Sequence, residues 1–148
     1  MRVILIVLIA SVLATAAVSS ASGGQQDLNR MSYAQLAKAG DRAIRSGHVY
    51  SSRWGDASAW LKSICYEMVE RAFRPFGTQE WATFVVNRES GCNPGAINSS
   101  SGANGIAQIL QSHTQFDHYR MRHDLGYAVA AFVRMSGGGR NTQPWRCC

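Results

Sequence analysis

Glu89 is the residue whose type and place point most directly to chemistry. It closes a run with apolar side chains at Trp81, Phe84 and Val85 and opens a stretch from Ser90 to Gly105 rich in Gly, Ser, Asn and Pro. A carboxyl at such a junction can be half buried. Apolar neighbours such as Trp81 or Phe84 would then disfavour its charged form and preserve the proton that a general acid must give. The competing reading is a surface Glu at a helix end, paired with Arg88, and position alone favours it. Downstream, Asp117 and Asp124 are the remaining acids. A second carboxylate from either would turn the chemistry toward hydrolysis by a pair of acids. His113, His118 and His123 are spaced by five, so on a helix they fall on different faces and read as surface or loop residues. With neither paired CxxC nor HxxxH spacing, no metal site is expected.

Three helical patterns have to position Glu89. Ser32 and Gln35 form a capping-box pair ahead of Leu36, Ala39, Ala43 and Ile44, and Ser46-Gly47 ends that helix. The segment from His48 to Gly55 has loop composition. Asp56 or Ser58 can cap a second helix, whose stripe of Trp60, Leu61, Ile64, Cys65, Met68, Val69, Ala72 and Phe73 should face inward. Pro75-Phe76-Gly77 stops it, and Thr78 caps a third helix that carries Glu89 in its last turn. The composition of Ser90 to Gly105 favours an irregular loop. Short helices are expected at Ile106 to Leu110 and at Asp124 to Met135, before the Gly137-Gly138-Gly139 break. Nothing shows sustained strand alternation.

The first residues read as a secretory signal: Met-Arg, an apolar run from Val3 to Ala10, an Ala/Val-rich stretch to Val18, then small residues. Cleavage after Ala21 fits, and Ala14-Thr15-Ala16 offers a competing site. The apolar run is shorter than the roughly 20 residues of a spanning helix, so no stable membrane insertion is expected once the signal is removed. Four cysteines, at 65, 92, 147 and 148, suit disulfides in an exported chain. A bridge between the adjacent Cys147 and Cys148 would need a strained ring, so Cys92 is expected to pair with one of them and Cys65 with the other. The net charge of +6 suits a polyanionic partner such as a cell wall, and by itself suits nucleic acid, a membrane surface or a merely soluble surface as well. No dense basic run or basic stripe interleaved with aromatics speaks for nucleic acid, and no helix past the signal joins a Lys/Arg-rich face to a broad apolar one, as a membrane-damaging helix would.

The run from Arg88 to Gln108 resembles the signature of the lytic transglycosylase domain of the lysozyme-like superfamily, in its small exported form. Glu89-Ser90-Gly91, then Pro94 and Ala96, a polar residue at Asn98, and Gly102-Ala103-Asn104-Gly105-Ile106-Ala107-Gln108 follow the family's order. The Trp145-Arg146-Cys147 ending is similar to the tails of small exported relatives. The resemblance implies that Glu89 protonates the glycosidic oxygen and then acts as base. The substrate's N-acetyl group assists, and the muramic 6-hydroxyl attacks to leave a 1,6-anhydro end, so one protein carboxylate suffices. It implies substrate contacts from Gln108 and from Asn98, where relatives often carry Ser. Gly102 and Gly105 would permit a close backbone turn. Two departures stand out. The family's Ala-Tyr-Asn-x-Gly pattern is represented only by the Tyr in Gly126-Tyr127-Ala128-Val129, which makes Tyr127 a cleft residue or a core residue, and the Pro-Thr continuation after Gln108 is missing.

The expectation is a mostly α, single lysozyme-like domain with an irregular active-site loop, stabilised by disulfides that close the C-terminal tail onto that loop. Residues 1–22 would be the signal peptide, 23–55 a linker and N-terminal helical extension, and 56–148 the transglycosylase domain. The function implied is cleavage of the MurNAc-GlcNAc bond in peptidoglycan glycan strands by a secreted, periplasmic or wall-associated monomer that needs no cofactor. The rivals are a hydrolytic lysozyme and a wall-binding protein that keeps the cleft without turning over substrate.

Overall fold

The computed structural model describes residues 23–47 and 58–146, and the expected signal, the loop from His48 to Gly55, and Cys147 and Cys148 lie outside the described residues. Six α-helices occur among the described residues: α1 Gly23–Arg30, α2 Tyr33–Arg45, α3 Ala59–Phe73, α4 Gln79–Ser90, α5 His118–His123 and α6 Leu125–Ser136. Short 3-10 turns at Arg74–Phe76 and Gln143–Trp145 follow α3 and α6. No strand forms among these residues, and the only sheet-like pairing there consists of isolated bridges, Ile97 with Asn104 and Asn104 with Ile109.

Local chemistry starts the helices where the sequence indicates. At α2 the Gln35 N–H donates to Ser32 Oγ while Gln35 Oε1 accepts from the Ser32 N–H, the reciprocal capping box. Ser58 caps α3 by accepting from the Leu61 N–H, and Asp56, the other expected cap, lies outside the described residues. Asp124 caps α6 through the Tyr127 N–H. Thr78 stands at the cap position of α4, but its hydroxyl donates to the Gly138 carbonyl at 2.8 Å instead. That bond ties the start of the Glu89 helix to the chain after α6. Gly138 is where side chains are excluded: its φ is +69°, and a Cβ there would lie 2.6 Å from the Phe76 ring.

Helix α3 lies at the centre, with α1, α2, α4 and α6 packed around it. Its Leu61, Ile64, Cys65, Met68, Val69 and Phe73 are buried with Leu36, Ala39, Ala43 and Ile44 of α2, Ala82, Val85 and Val86 of α4, and Leu125, Val129 and Phe132 of α6. The core therefore runs across the expected boundary at residue 55. Three further hydrogen bonds bind the N-terminal helices: the Leu125 N–H donates to Asp41 at 2.9 Å, and the Arg71 guanidinium, paired with Glu67 at 2.6 Å, donates to the Leu28 and Met31 carbonyls at the end of α1. Gly40 leaves room for Leu125, since a Cβ there would lie 2.5 Å from its side chain.

Several expectations change. Residues Gly23–Arg30 form a helix where a linker is expected, and α5 is an additional helix capped by Asp117. No helix spans Ile106 to Leu110. Gln108 takes a left-handed φ of +51°, which an α-helix does not accommodate, and Asn104 and Ile109 instead exchange backbone hydrogen bonds at 3.1 and 3.0 Å. Trp60 and Phe84 are 43% and 53% exposed rather than inward. On α4 the buried stripe is Ala82, Val85 and Val86, so Phe84 shares the solvent side with Glu80 and Arg88, and the Arg88 guanidinium lies over its ring at 5.7 Å. The disulfide joins Cys65 to Cys92, with Cα atoms 6.0 Å apart, and neither pairs with the tail as expected. Cys65 faces inward from α3 and Cys92 follows directly on the end of α4, so packing those helices together brings the two within bridging reach.

Cross-linking positions 27 residues apart restricts the unfolded chain, and reduction is expected to lower stability by about 3 kcal/mol. Denaturant unfolding with and without reductant checks this; an unchanged midpoint would contradict it. Asp124 supports a second expectation. Burial opposes its ionisation, but hydrogen bonds from Arg120 and the Tyr127 N–H, with the Arg120 charge, outweigh that and hold the carboxyl below its ordinary value of 3.8. A depressed carboxyl contributes fully above that ordinary value and loses its contribution as the pH falls through the lower folded one. Replacing Asp124→Ala should cost about 1 kcal/mol of cap energy near neutral pH, with a smaller difference from the unmodified protein below pH 3.8. Thermal unfolding across that range tests the sign.

Candidate active site

Glu89 follows from the pitch of α4. It lies four residues after Val85 and three after Val86, on the same side as the buried stripe but in the final turn, where the apolar core gives way to a cavity. The helix stops one residue later. Gly91 caps it at φ +60°, Cys92 follows at φ +59°, and their N–H groups bond back to the Asn87 and Val86 carbonyls. Ser90 is buried, and its hydroxyl donates to the Ile106 carbonyl at 2.7 Å while accepting from the Asn93 N–H at 3.2 Å. The residue beside Glu89 therefore clamps both ends of the irregular loop.

The cavity that Glu89 lines has a volume of about 630 Å³. Asn98, Ser101, Ala103, Gln108, Ile109 and Leu110 line it from the loop, and Asn141, Gln143, Pro144 and Trp145 from the C-terminal segment. His113 and Met135 complete it. Glu89 is the one carboxylate among these residues, is half buried, and makes no hydrogen bond or ion pair among the described residues. Arg88 does not pair with it and sits over Phe84 instead. The apolar part of the cavity lining comes from Ala103, Ile109, Leu110, Met135, Pro144 and Trp145, and Phe84 is not among the lining residues.

Gln108 and Asn98 stand in this cavity with part of their hydrogen-bonding capacity already used. Gln108 Nε2 donates to the Gly105 and Ala96 carbonyls at 3.0 and 3.3 Å, leaving its oxygen without a partner among the described residues. Asn98 Oδ1 accepts from the Ser100 and Ser101 N–H groups, and its backbone pairs with Ala103 and Gly102, closing the loop tip. Its Nδ2 has no partner among the described residues. Tyr127 is not among the lining residues. Its hydroxyl accepts from the Asp117 N–H at 2.8 Å, and Arg120 lies 4.4 Å over its ring, so it joins α5 to α6.

The two downstream acids are occupied elsewhere. Asp117 caps α5 through the Arg120 N–H, and Asp124 caps α6 and pairs with Arg120 at 2.6 Å; neither lines the cavity. Among the described residues no three His, Cys, Asp or Glu gather as a metal site would require. His118 bridges the Asn104 side-chain amide, through Nδ1 at 3.2 Å, and the His113 carbonyl, through Nε2 at 3.2 Å.

A helix-borne carboxyl, a clamped loop and a mixed polar and apolar cleft now stand together. Residues 70–129 match the family model of the Transglycosylase SLT domain. The match bears out the resemblance read from Arg88 to Gln108 and carries it upstream to residue 70 and downstream to residue 129. The likeness covers that span, less than half of the chain, and the described architecture around it is mostly α with a Cys65–Cys92 disulfide. No curated protein and no solved structure matches the chain. Glu89, Asn98, Gln108 and Tyr127 all fall within the SLT span, whereas the cavity wall from Asn141 to Trp145 lies beyond it.

That wall, His113 and the Ser90 clamp are what sequence reasoning missed. The tail is held by Trp145, whose indole N–H donates to the Ala107 carbonyl at 2.9 Å and whose ring meets Trp81 and Phe132 edge-on, at centroid distances of 5.8 and 5.1 Å. The closure of tail onto loop is thus aromatic here, where a disulfide is expected from sequence. The Trp-x-Cys ending is the signal that could have drawn attention to it.

Substituting Ser90→Ala would leave the Ile106 carbonyl without its donor inside the fold and is expected to cost about 1–3 kcal/mol. Urea unfolding measures this; a change below a few tenths of a kcal/mol would show that Ser90 does not clamp the loop.

Proposed function

We propose that the protein is an exported lytic transglycosylase that cuts the MurNAc-GlcNAc bond of peptidoglycan, with Glu89 as general acid and then base. The observation that carries this reading is that Glu89 is the one carboxylate lining the cavity among the described residues, while Asp117 and Asp124 serve as helix caps outside it. A pair of acids is the usual equipment for glycoside hydrolysis, and this cleft supports chemistry that needs one. In that chemistry the protonated Glu89 gives its proton to the bridging oxygen as the C1–O bond breaks. The neighbouring N-acetyl group assists at C1. The Glu89 carboxylate then takes the proton of the muramic 6-hydroxyl as that oxygen bonds to C1, which returns the acid form without consuming water.

Gln108 and Asn98 take substrate-contact roles in this reading, Gln108 through its oxygen and Asn98 through its amide nitrogen, the ends left without partners among the described residues. Export is supported by the leading sequence and by a disulfide between Cys65 and Cys92, which persists in oxidising compartments. No described helix is long and apolar enough to cross a membrane.

Incubating bacterial sacculi with the protein and with Glu89→Gln tests the reading. The unmodified protein should release soluble muropeptides, and the substitution should slow release by at least about 100-fold while leaving the unfolding temperature within a few degrees. Release that survives Glu89→Gln, or none from either protein, would contradict it, and the latter with retained sacculus binding would favour the wall-binding rival.

A further inference from the structure

Each terminal amide lining the cavity has one end already occupied, and the occupied ends decide what the cavity offers a ligand. On the loop wall Gln108 commits its nitrogen to the Gly105 and Ala96 carbonyls, so an acceptor oxygen remains. Asn98 on the same wall commits its oxygen and keeps a donor NH2, and the C-terminal wall offers donors from both of its amides. Asn141 Oδ1 accepts from the Gln143 N–H at 3.3 Å, leaving a donor NH2. Gln143, with its oxygen turned to meet a donor, accepts from both terminal nitrogens of Arg146 at 2.8 and 3.2 Å, which also leaves a donor NH2. Gln143 and Asn141 line the same cavity as Glu89 and Gln108 and lie outside the SLT span.

An acceptor on one wall and donors on another are what a secondary amide requires, since its N–H needs an acceptor and its carbonyl a donor. We propose that Gln143 is a specificity-determining residue: its Nε2 donates to the carbonyl oxygen of a 2-acetamido group on the glycan, whose N–H is accepted by Gln108 Oε1. The inference rests on the reading of the cavity as a site for an amino-sugar chain. A de-N-acetylated sugar carries an ammonium in place of this amide and offers Gln143 no carbonyl. Trp145 is the positioning residue of the wall, because its indole holds the 3-10 turn Gln143–Trp145 against Ala107, the residue before Gln108.

The test uses the full chain carrying Glu89→Gln, so that ligand is bound and not cut. Calorimetric titration with a β-1,4-linked N-acetylglucosamine hexasaccharide and with its de-N-acetylated counterpart gives the two affinities. Adding Gln143→Met, which keeps length and removes the donor, should weaken binding of the acetylated sugar about tenfold, as expected for one hydrogen bond. Binding of the de-N-acetylated sugar should stay within about twofold, and so lose most of its disadvantage. Gln143→Glu, which replaces the donor by an acceptor of the same shape, should weaken the acetylated sugar at least as much. Unchanged affinity in both variants, or equal losses for the two sugars, overturns the inference. Sacculus digestion by chains that keep Glu89 separates the two levels. Glu89-dependent cleavage alongside unchanged affinities sinks the inference alone, whereas absent cleavage sinks the transglycosylase reading and the inference with it.

Discussion

The exit of the chain from α4 is the constraint on which the site depends. An α-helix that continued past Ser90 would carry the following residues away from the core and leave no loop to build a cleft. Two successive left-handed residues, Gly91 and Cys92, turn the chain back, and the second of them is a cysteine held to α3 by its disulfide. A side chain at positive φ is costly for most residues, so the bridge and the buried Ser90 hydroxyl act together to keep that conformation. Glu89 stands one residue before this turn. Its place at the end of the buried stripe is a consequence of where the helix is made to stop.

A second set of interactions closes the cleft from the other side. Phe73, Trp81, Phe132 and Trp145 form a cluster of tilted and edge-on rings, contributed by α3, α4, α6 and the C-terminal turn. Burial of such rings is a large apolar contribution with specific geometry. The cluster packs under the cavity, and Trp145 belongs to both, since it lines the one and completes the other. The loop and the tail are therefore not independent: the hydrogen bond from the indole to Ala107 joins the wall beyond residue 129 to the backbone next to Gln108.

Much of this was legible in the sequence because it depends on local rules. The capping box at Ser32, the cap at Ser58 and the apolar stripe of α3 follow from spacing and side-chain chemistry. Gln108 and Asn98 came from the resemblance, and the cavity receives both. Position alone favoured a surface role for Glu89, and the resemblance from Arg88 to Gln108 is what singled it out as the catalytic acid. What was not legible depends on contacts between distant segments. Phe84 sits on the solvent side because neighbouring helices select Ala82, Val85 and Val86 as the buried stripe, a choice that periodicity over one short helix leaves open. Cys65 and Cys92 meet because α3 and α4 pack together, and spacing in the chain does not encode that. The run from Ile106 to Leu110 has helical composition, but bridges to Asn104 and the left-handed Gln108 override it. Tyr127 combines a hydroxyl bond to Asp117 with a stacked Arg120, an arrangement that needs α5, which sequence reasoning did not anticipate.

The central claim is that one carboxylate performs the cleavage and that the attacking oxygen comes from the substrate. Mass spectrometry of the fragments released from sacculi reads that oxygen directly. Muropeptides ending in 1,6-anhydro sugars, each lighter by one water than the hydrolysed form, are the predicted result. Fragments ending in free reducing sugars would contradict the account, because they would mean that water and not the muramic 6-hydroxyl is the nucleophile.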